Sequence, residues 1–267
     1  MDNLVIASNE ADATAADAVV QHHAQMAGML AVAVERLVTA ASRRNEATAL
    51  AARDDLVAWC RDGLVPHALA EEKAMYPAAQ AMLEGRLLVD GMLAEHGAIT
   101  GLVDEIGATE DLVRAAAAAR ALLAMFESHL GKENGLVLPL LTAAPDVSVA
   151  ELLGGMHELL GGEHADGDEH ARAADSAGGH GCTCGEVDGP GHPELDTRVI
   201  PHKIRHATVF GALDGVRPGA GLVVVASHDP LPLLAQLDQR SPGAFAVDYL
   251  ERGPEVWRLL LVRRSAG

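Results

Sequence analysis

Aromatic side chains are scarce in this chain: two tryptophans, two tyrosines and three phenylalanines among 267 residues. Hydrophobic residues still make up 49%, so alanine and leucine must carry the packing, which favours helices. Cysteine is nearly missing as well. The three that occur, Cys60, Cys182 and Cys184, are an odd number and form no disulfide framework, so a reducing cytoplasm is expected. Cys60 lies in a helical pattern and reads as a small buried hydrophobe. The first twenty residues are acidic and lack the basic and apolar regions of a leader. No unbroken apolar run approaches the length of a membrane span. Positive charge is short at the N-terminal side. Residues 1–193 hold 30 acidic and 11 basic side chains, a balance of −19, while residues 194–267 hold 8 and 9, a balance of +1. An anionic surface of this kind repels nucleic acid and anionic lipid, so neither is an expected partner.

The length suits one large or two ordinary domains. Helical spacing of apolar residues begins near Asp12 and runs to Ser42, with Asp12 or Thr14 as the expected cap. A second helical stretch covers about 45–85 and contains Pro66, expected to kink or restart it. A third covers about 86–107. A fourth covers about 110–141, with Thr109 as its expected cap and Pro139 and Pro145 marking its end. A short fifth helix is expected over 149–160. Long helices joined by short connections predict an antiparallel four-helix bundle over residues 1–160. Residues 161–193 are rich in glycine, histidine and acid and read as a linker. Residues 194–267 alternate as β-α-β-α-β-β, which predicts a small two-layer α/β sandwich. The fold class expected is therefore α + α/β.

Histidine is the exception to this thrift, with 13 copies. Two His-x-x-x-Glu units, His67 with Glu71 and His129 with Glu133, lie 62 residues apart. Positions i and i+4 share a helix face, so each unit offers an imidazole and a carboxylate side by side. The first helix adds His22 and His23, the second Glu72, and the third His96 after Glu95. Every long helix thus brings a metal-binding side chain. This donor set suits iron, manganese or zinc rather than a thiolate-loving ion. Burying six such groups without a partner would be costly, which argues for a metal. Taken singly, either His-x-x-x-Glu unit reads more readily as a solvated surface pair than as a ligand pair.

Four segments in order, VVQHHAQM, VPHALAEEKAMYP, MLAEHGAI and FESHLGKENGLVLP, resemble the hemerythrin-like, or HHE cation-binding, family over about residues 14–142. The resemblance implies a non-haem di-iron centre with oxo and carboxylate bridges. Carried onto this chain, His23, His67, His96 and His129 would be terminal ligands, and Glu71 and Glu133 would bridge. His23 is preferred over His22 because its context matches the family's first-helix segment. The family's oxygen carriers have a second histidine four residues away on the third helix. Here those places hold Thr100 and Met92. Fewer imidazoles imply more open coordination positions, which favours reaction or sensing over oxygen carriage.

Residues 193–264 resemble an uncharacterised domain that accompanies bacterial hemerythrin-like proteins and is related to the SirA/TusA-like fold. That fold's sulfur-carrying Cys-Pro motif is replaced here by Val199-Ile200-Pro201-His202, so sulfur relay at that place is in doubt. His180, Cys182 and Cys184 form a second candidate metal or redox patch. His202, His206, His228 and Asp229, with Arg205 as an anion-binding partner, form a third candidate site; a helix cap and a strand-to-helix turn explain the same residues. The favoured function is a cytoplasmic di-iron protein that binds or responds to dioxygen, peroxide or nitric oxide. The C-terminal domain would transmit that state, bind a protein partner or form a homo-oligomer. A di-iron enzyme removing peroxide or nitric oxide, and a metal storage or buffering protein, remain the alternatives.

Overall fold

The computed structural model describes residues 10–159 and 192–265. The N-terminal part is mostly helical and the C-terminal part is a small mixed sheet with helices, an α + α/β architecture. Helix α1 spans Glu10–Ser42, α2 Glu46–Trp59, α3 Val65–Ala74, α4 Tyr76–Ala81, α5 Arg86–Ala108 and α6 Leu112–Lys132. They are followed by α7 (Leu138–Ala143) and α8 (Val149–Leu159). The bundle is made by α1, the run α2 to α3, α5, and the run α6 to α7.

Two apolar clusters fill the bundle. One holds Leu30, Leu37, Leu56, Ile99, Ile106, Leu122 and Phe126. The other holds Val19, Met75, Met92, Val137, Leu141 and Met156. Each long helix passes from one cluster to the other through a polar step: His23 lies between Val19 and Met26, and His96 between Met92 and Ile99. The metal-type side chains thus form one layer inside the bundle. Alanines make its walls thin; Ala115, Ala116, Ala118 and Ala119 of α6 are all buried.

Pro66 and Pro139 are each absorbed by a π turn. Cys60–Leu64 and Glu133–Val137 each wind with one extra residue per turn. The amide of Val65, just before Pro66, donates to the Cys60 carbonyl, and that of Leu138, just before Pro139, to Glu133. A proline ring clashes with the carbonyl four residues back and has no N–H to give it; a π turn relieves the clash without ending the helix. The helix caps also differ from expectation. Asp111, not Thr109, caps α6 by accepting from the amides of Val113 and Arg114. Asp12 lies inside α1, is buried, and accepts from Ser148 Oγ and the Ala150 amide, so it secures the start of α8 instead.

Helix α1 includes a stretch long and apolar enough to cross a membrane, which run-by-run inspection of the sequence misses. Its apolar residues are placed differently: Leu30, Val34 and Leu37 face the bundle.

The C-terminal part contains β1 (Glu194–Asp196), α9 (His202–Asp214), β2 (Gly221–Ala226), α10 (Leu231–Arg240), β3 (Phe245–Arg252) and β4 (Trp257–Arg263). The sheet order is β1-β2-β4-β3, with β1 and β2 parallel and the other pairs antiparallel. Central strand β2 is buried throughout. Strand β1 is only three residues long, because Thr197–Val199 turns into a 3-10 helix.

Helix α9 lies directly on α1. Val32 of α1 belongs to the same apolar cluster as Val209, Leu213 and Leu222 of the C-terminal part. At the crossing, a Cβ on Gly28 would stand 2.1 Å from the Thr208 carbonyl oxygen, and one on Gly211 would stand 2.1 Å from that of Gln25. Helical glycine is unfavourable by about 1 kcal/mol against alanine, so at these two places close backbone approach is what requires it. Gly211→Ala is therefore expected to destabilise the protein by about 1–3 kcal/mol, read as a lower denaturation midpoint. Unchanged or increased stability would mean that the helices do not meet this closely.

Candidate metal centre

Six side chains meet in the buried layer: His23, His67, Glu71, His96, His129 and Glu133, none more than 5% exposed. Glu71 stands at the centre. Its Oε1 lies 3.2 Å from His23 Nε2 and 2.9 Å from His67 Nε2, and its Oε2 lies 3.7 Å from His96 Nε2. Two donor groups result, His23–His67–Glu71 and Glu71–His96–His129, and within each the donor atoms lie within 4.8 Å of one another. Glu133 faces both groups, with Oε2 3.8 Å from His23 Nε2 and 3.7 Å from His129 Nε2.

The outer ring nitrogens are held from behind. His23 Nδ1 pairs with Asn134 Oδ1 at 2.9 Å, His96 Nδ1 with Glu72 Oε1 at 2.8 Å, and His129 Nδ1 with Glu95 Oε2 at 3.0 Å. Lys132 donates to the other oxygen of Glu95. Such partners fix the tautomer and aim Nε2 inward. Glu72, a candidate ligand by sequence, is therefore placed behind His96 rather than among the inner donors. His22 is exposed, its ring 5.0 Å from that of His67, while His23 is fully buried. Glu95 and Asn134 carry out this positioning and were not singled out for it from the sequence. Their signal is present in hindsight: Glu95 adjoins His96, and Asn134 adjoins Glu133.

A buried tyrosine completes the layer. Tyr76 Oη donates to Glu133 Oε1 at 2.8 Å and lies 3.4 Å from both His96 Nε2 and His129 Nε2. Thr100 is exposed and Met92 is buried in the apolar cluster. The inner nitrogens of His96 and His129 thus face a phenol. Sequence spacing hid Tyr76, because Met75 breaks the helix between it and Glu71.

Cation binding accounts for atoms that otherwise have no partner. Both nitrogens of His67 and Oε2 of Glu133 are buried without a hydrogen bond. His67 Nε2 is near Glu71 Oε1 but off the hydrogen-bonding direction. Converging lone pairs of this kind suit a cation. Electrostatics agree. Burial alone would lower the His23 pKa, but its hydrogen bond to Glu71 and the charges of Glu133 and Glu71 outweigh that and raise it to about 9. Burial and the neighbouring Glu71 raise Glu133, while the imidazoles of His67 and His23 overcome burial and lower Glu71. Burial and the adjacent His96 lower His129 to about 4, so it is neutral and ready to coordinate at pH 7. Cys60 is buried and its thiol is pushed up to about 12 by desolvation, as befits a packing residue.

Elsewhere, His202, Arg205, His206 and His228 line one cavity in the C-terminal part. His180, Cys182 and Cys184 lie outside the described residues.

Residues 14–141 match the hemerythrin HHE cation binding domain family, and residues 194–263 match the uncharacterized conserved protein family DUF2249. Neither a curated protein nor a solved structure matches the chain.

The protonation pattern sets a pH dependence. Without metal, His23 keeps its proton up to about pH 9 and Glu133 holds one above the usual carboxylate range. Both must lose it to coordinate. Metal uptake should release protons, and apparent affinity should strengthen as pH rises from neutral toward 9. Calorimetry in buffers of different ionisation enthalpy measures this; uptake without proton release contradicts it.

Proposed function

We propose that the bundle, whose residues 14–141 match the hemerythrin HHE cation binding domain family, holds two iron ions and responds to dioxygen, peroxide or nitric oxide. The observation that carries the reading is Glu71, whose two oxygens face two separate imidazole groups. His23 and His67 would hold one iron, His96 and His129 the other, with Glu71 and Glu133 between them. An all-nitrogen and oxygen donor set with no thiolate suits iron. Bound iron supplies one-electron redox and affinity for dioxygen, peroxide and nitric oxide.

The chain's own groups manage protons and access. Tyr76 is kept neutral: burial and the charges of Glu133 and Glu71 raise its pKa. It therefore holds a proton at Oη, directed at Glu133. Glu95 and Lys132, both about 30% exposed, connect His129 Nδ1 to solvent, and Glu72 does so for His96. Protons can reach the inner histidines along these two paths without opening the bundle. The apolar clusters on either side exclude bulk water. Helix α1, which carries His23, is also the helix on which α9 rests. A change at His23 would pass to the C-terminal domain through α1, the transmitting role we propose for that domain. The cytoplasm is the proposed location.

Elemental analysis should return about two irons per chain. Glu71→Ala should remove both, and His129→Ala about one. Tyr76→Phe should keep both irons but change the visible spectrum and the reaction with nitric oxide. One zinc per chain, with no iron-dependent absorbance, would refute the assignment. A stoichiometric spectral change on adding peroxide supports a responsive protein, whereas sustained peroxide consumption would make it an enzyme. Removing the metal with a chelator should lower stability by about 4 kcal/mol relative to protein in free metal at a thousand times Kd, seen as a lower thermal midpoint.

A further inference from the structure

A cavity of about 270 Å³ opens at the carboxyl end of β2, between the first turns of α9 and α10. Its walls divide by chemistry. Val209, Val224 and Leu233 make an apolar floor, and His202, Arg205, His206 and His228 stand around it. No carboxylate lines it, although the chain carries a net charge of −18. Asp229, next in sequence to His228, is turned to the sheet and accepts from Tyr249 Oη at 2.9 Å. We propose that this cavity binds a small organic anion, with a carboxylate or phosphate head among the imidazoles and the guanidinium and a short apolar tail on the floor.

Three observations favour an anion over a metal. First, the imidazoles do not converge. Among the described residues, the only groups of three or more metal-type donors within 4.8 Å of one another are the two in the bundle. Second, Arg205 stands among the histidines, and a guanidinium stays charged; it opposes a cation and attracts an anion. Third, the polar groups are fixed in place. Arg205 Nε and Nη2 both donate to the Ile200 carbonyl, at 3.2 and 2.9 Å, which holds the planar fork and leaves the Nη1 edge to face a ligand. His206 Nδ1 pairs with Gln236 Oε1 at 3.0 Å, and His228 Nδ1 with Ser227 Oγ at 3.2 Å. Each ring keeps Nε2 for a ligand. Preset donors of this kind lower the ordering cost of binding. The positive ends of α9 and α10 add a weaker attraction for negative charge. The proposal does not depend on what the bundle binds.

The test is calorimetric titration of the full-length protein with butanoate and with butyl phosphate, and with 1-butanol as the uncharged probe. One anion site per chain is expected, with no measurable binding of the alcohol. The preferred anion identifies the head group. Arg205→Gln should weaken the anion tenfold or more. The double variant His202→Gln/His228→Gln changes two exposed side chains, so it leaves the fold intact, and it should also weaken binding tenfold or more. Absence of saturable binding of both anions overturns the proposal. So does binding that the double variant leaves unchanged, or 1-butanol binding as well as the anions. Stoichiometric zinc binding that is lost in the double variant would show a metal site instead.

Discussion

Everything in the N-terminal bundle is arranged around the burial of four imidazoles and two carboxylates in a space with little water. Groups of this kind are expensive to desolvate unless something compensates them. Part of the compensation is visible. Glu71 pairs with His23, Tyr76 donates to Glu133, and the outer nitrogens of His23, His96 and His129 each rest on a side chain behind them. The remainder, at His67 and Glu133, is left to a cation. The apolar clusters above and below the layer are separate because the layer divides them. The bundle is thus two small cores stacked on a polar floor, and cation binding ties them together.

How much of this is legible in the sequence depends on the range of the interaction. The helices are, because apolar spacing is a local property. So is the α + α/β organisation, since the 3.6-residue pattern gives way to short strands after residue 193. The six inner side chains are also legible, because i, i+4 spacing and one histidine per helix require no knowledge of packing. The surroundings of the site are not. Tyr76 reaches Glu133 across 57 residues of chain and only after the helix breaks at Met75. Glu95 looks like an ordinary helix-face acid, and Glu72 like a candidate ligand, until α5 and α6 bring His96 and His129 against them.

The two π turns show the same limit from the side of the backbone. Pro66 and Pro139 signal interruption, and the natural reading is a kink or a stop. Each instead shifts the helix by one residue and lets it continue. Within the second turn Leu136 points outward, and beyond it Leu138 and Leu141 point inward. The register that places Glu133 among the donors therefore also serves the apolar cluster that follows it. A straight α-helix would have had to choose between them.

The glycine crossing of α1 and α9 changes what counts as a unit in this protein. Helix α1 has two working faces: Leu30 and Leu37 serve the bundle, and Val32 and Gly28 serve the sheet domain. Dividing the chain at residues 160–191 would leave a bundle with a glycine-marked furrow and an uncovered valine on its outer wall. The complementary half would be left with a helix whose buried backbone had lost its cover. Family boundaries drawn along the sequence separate two modules, but the smallest piece in which both apolar faces of α1 are covered includes both.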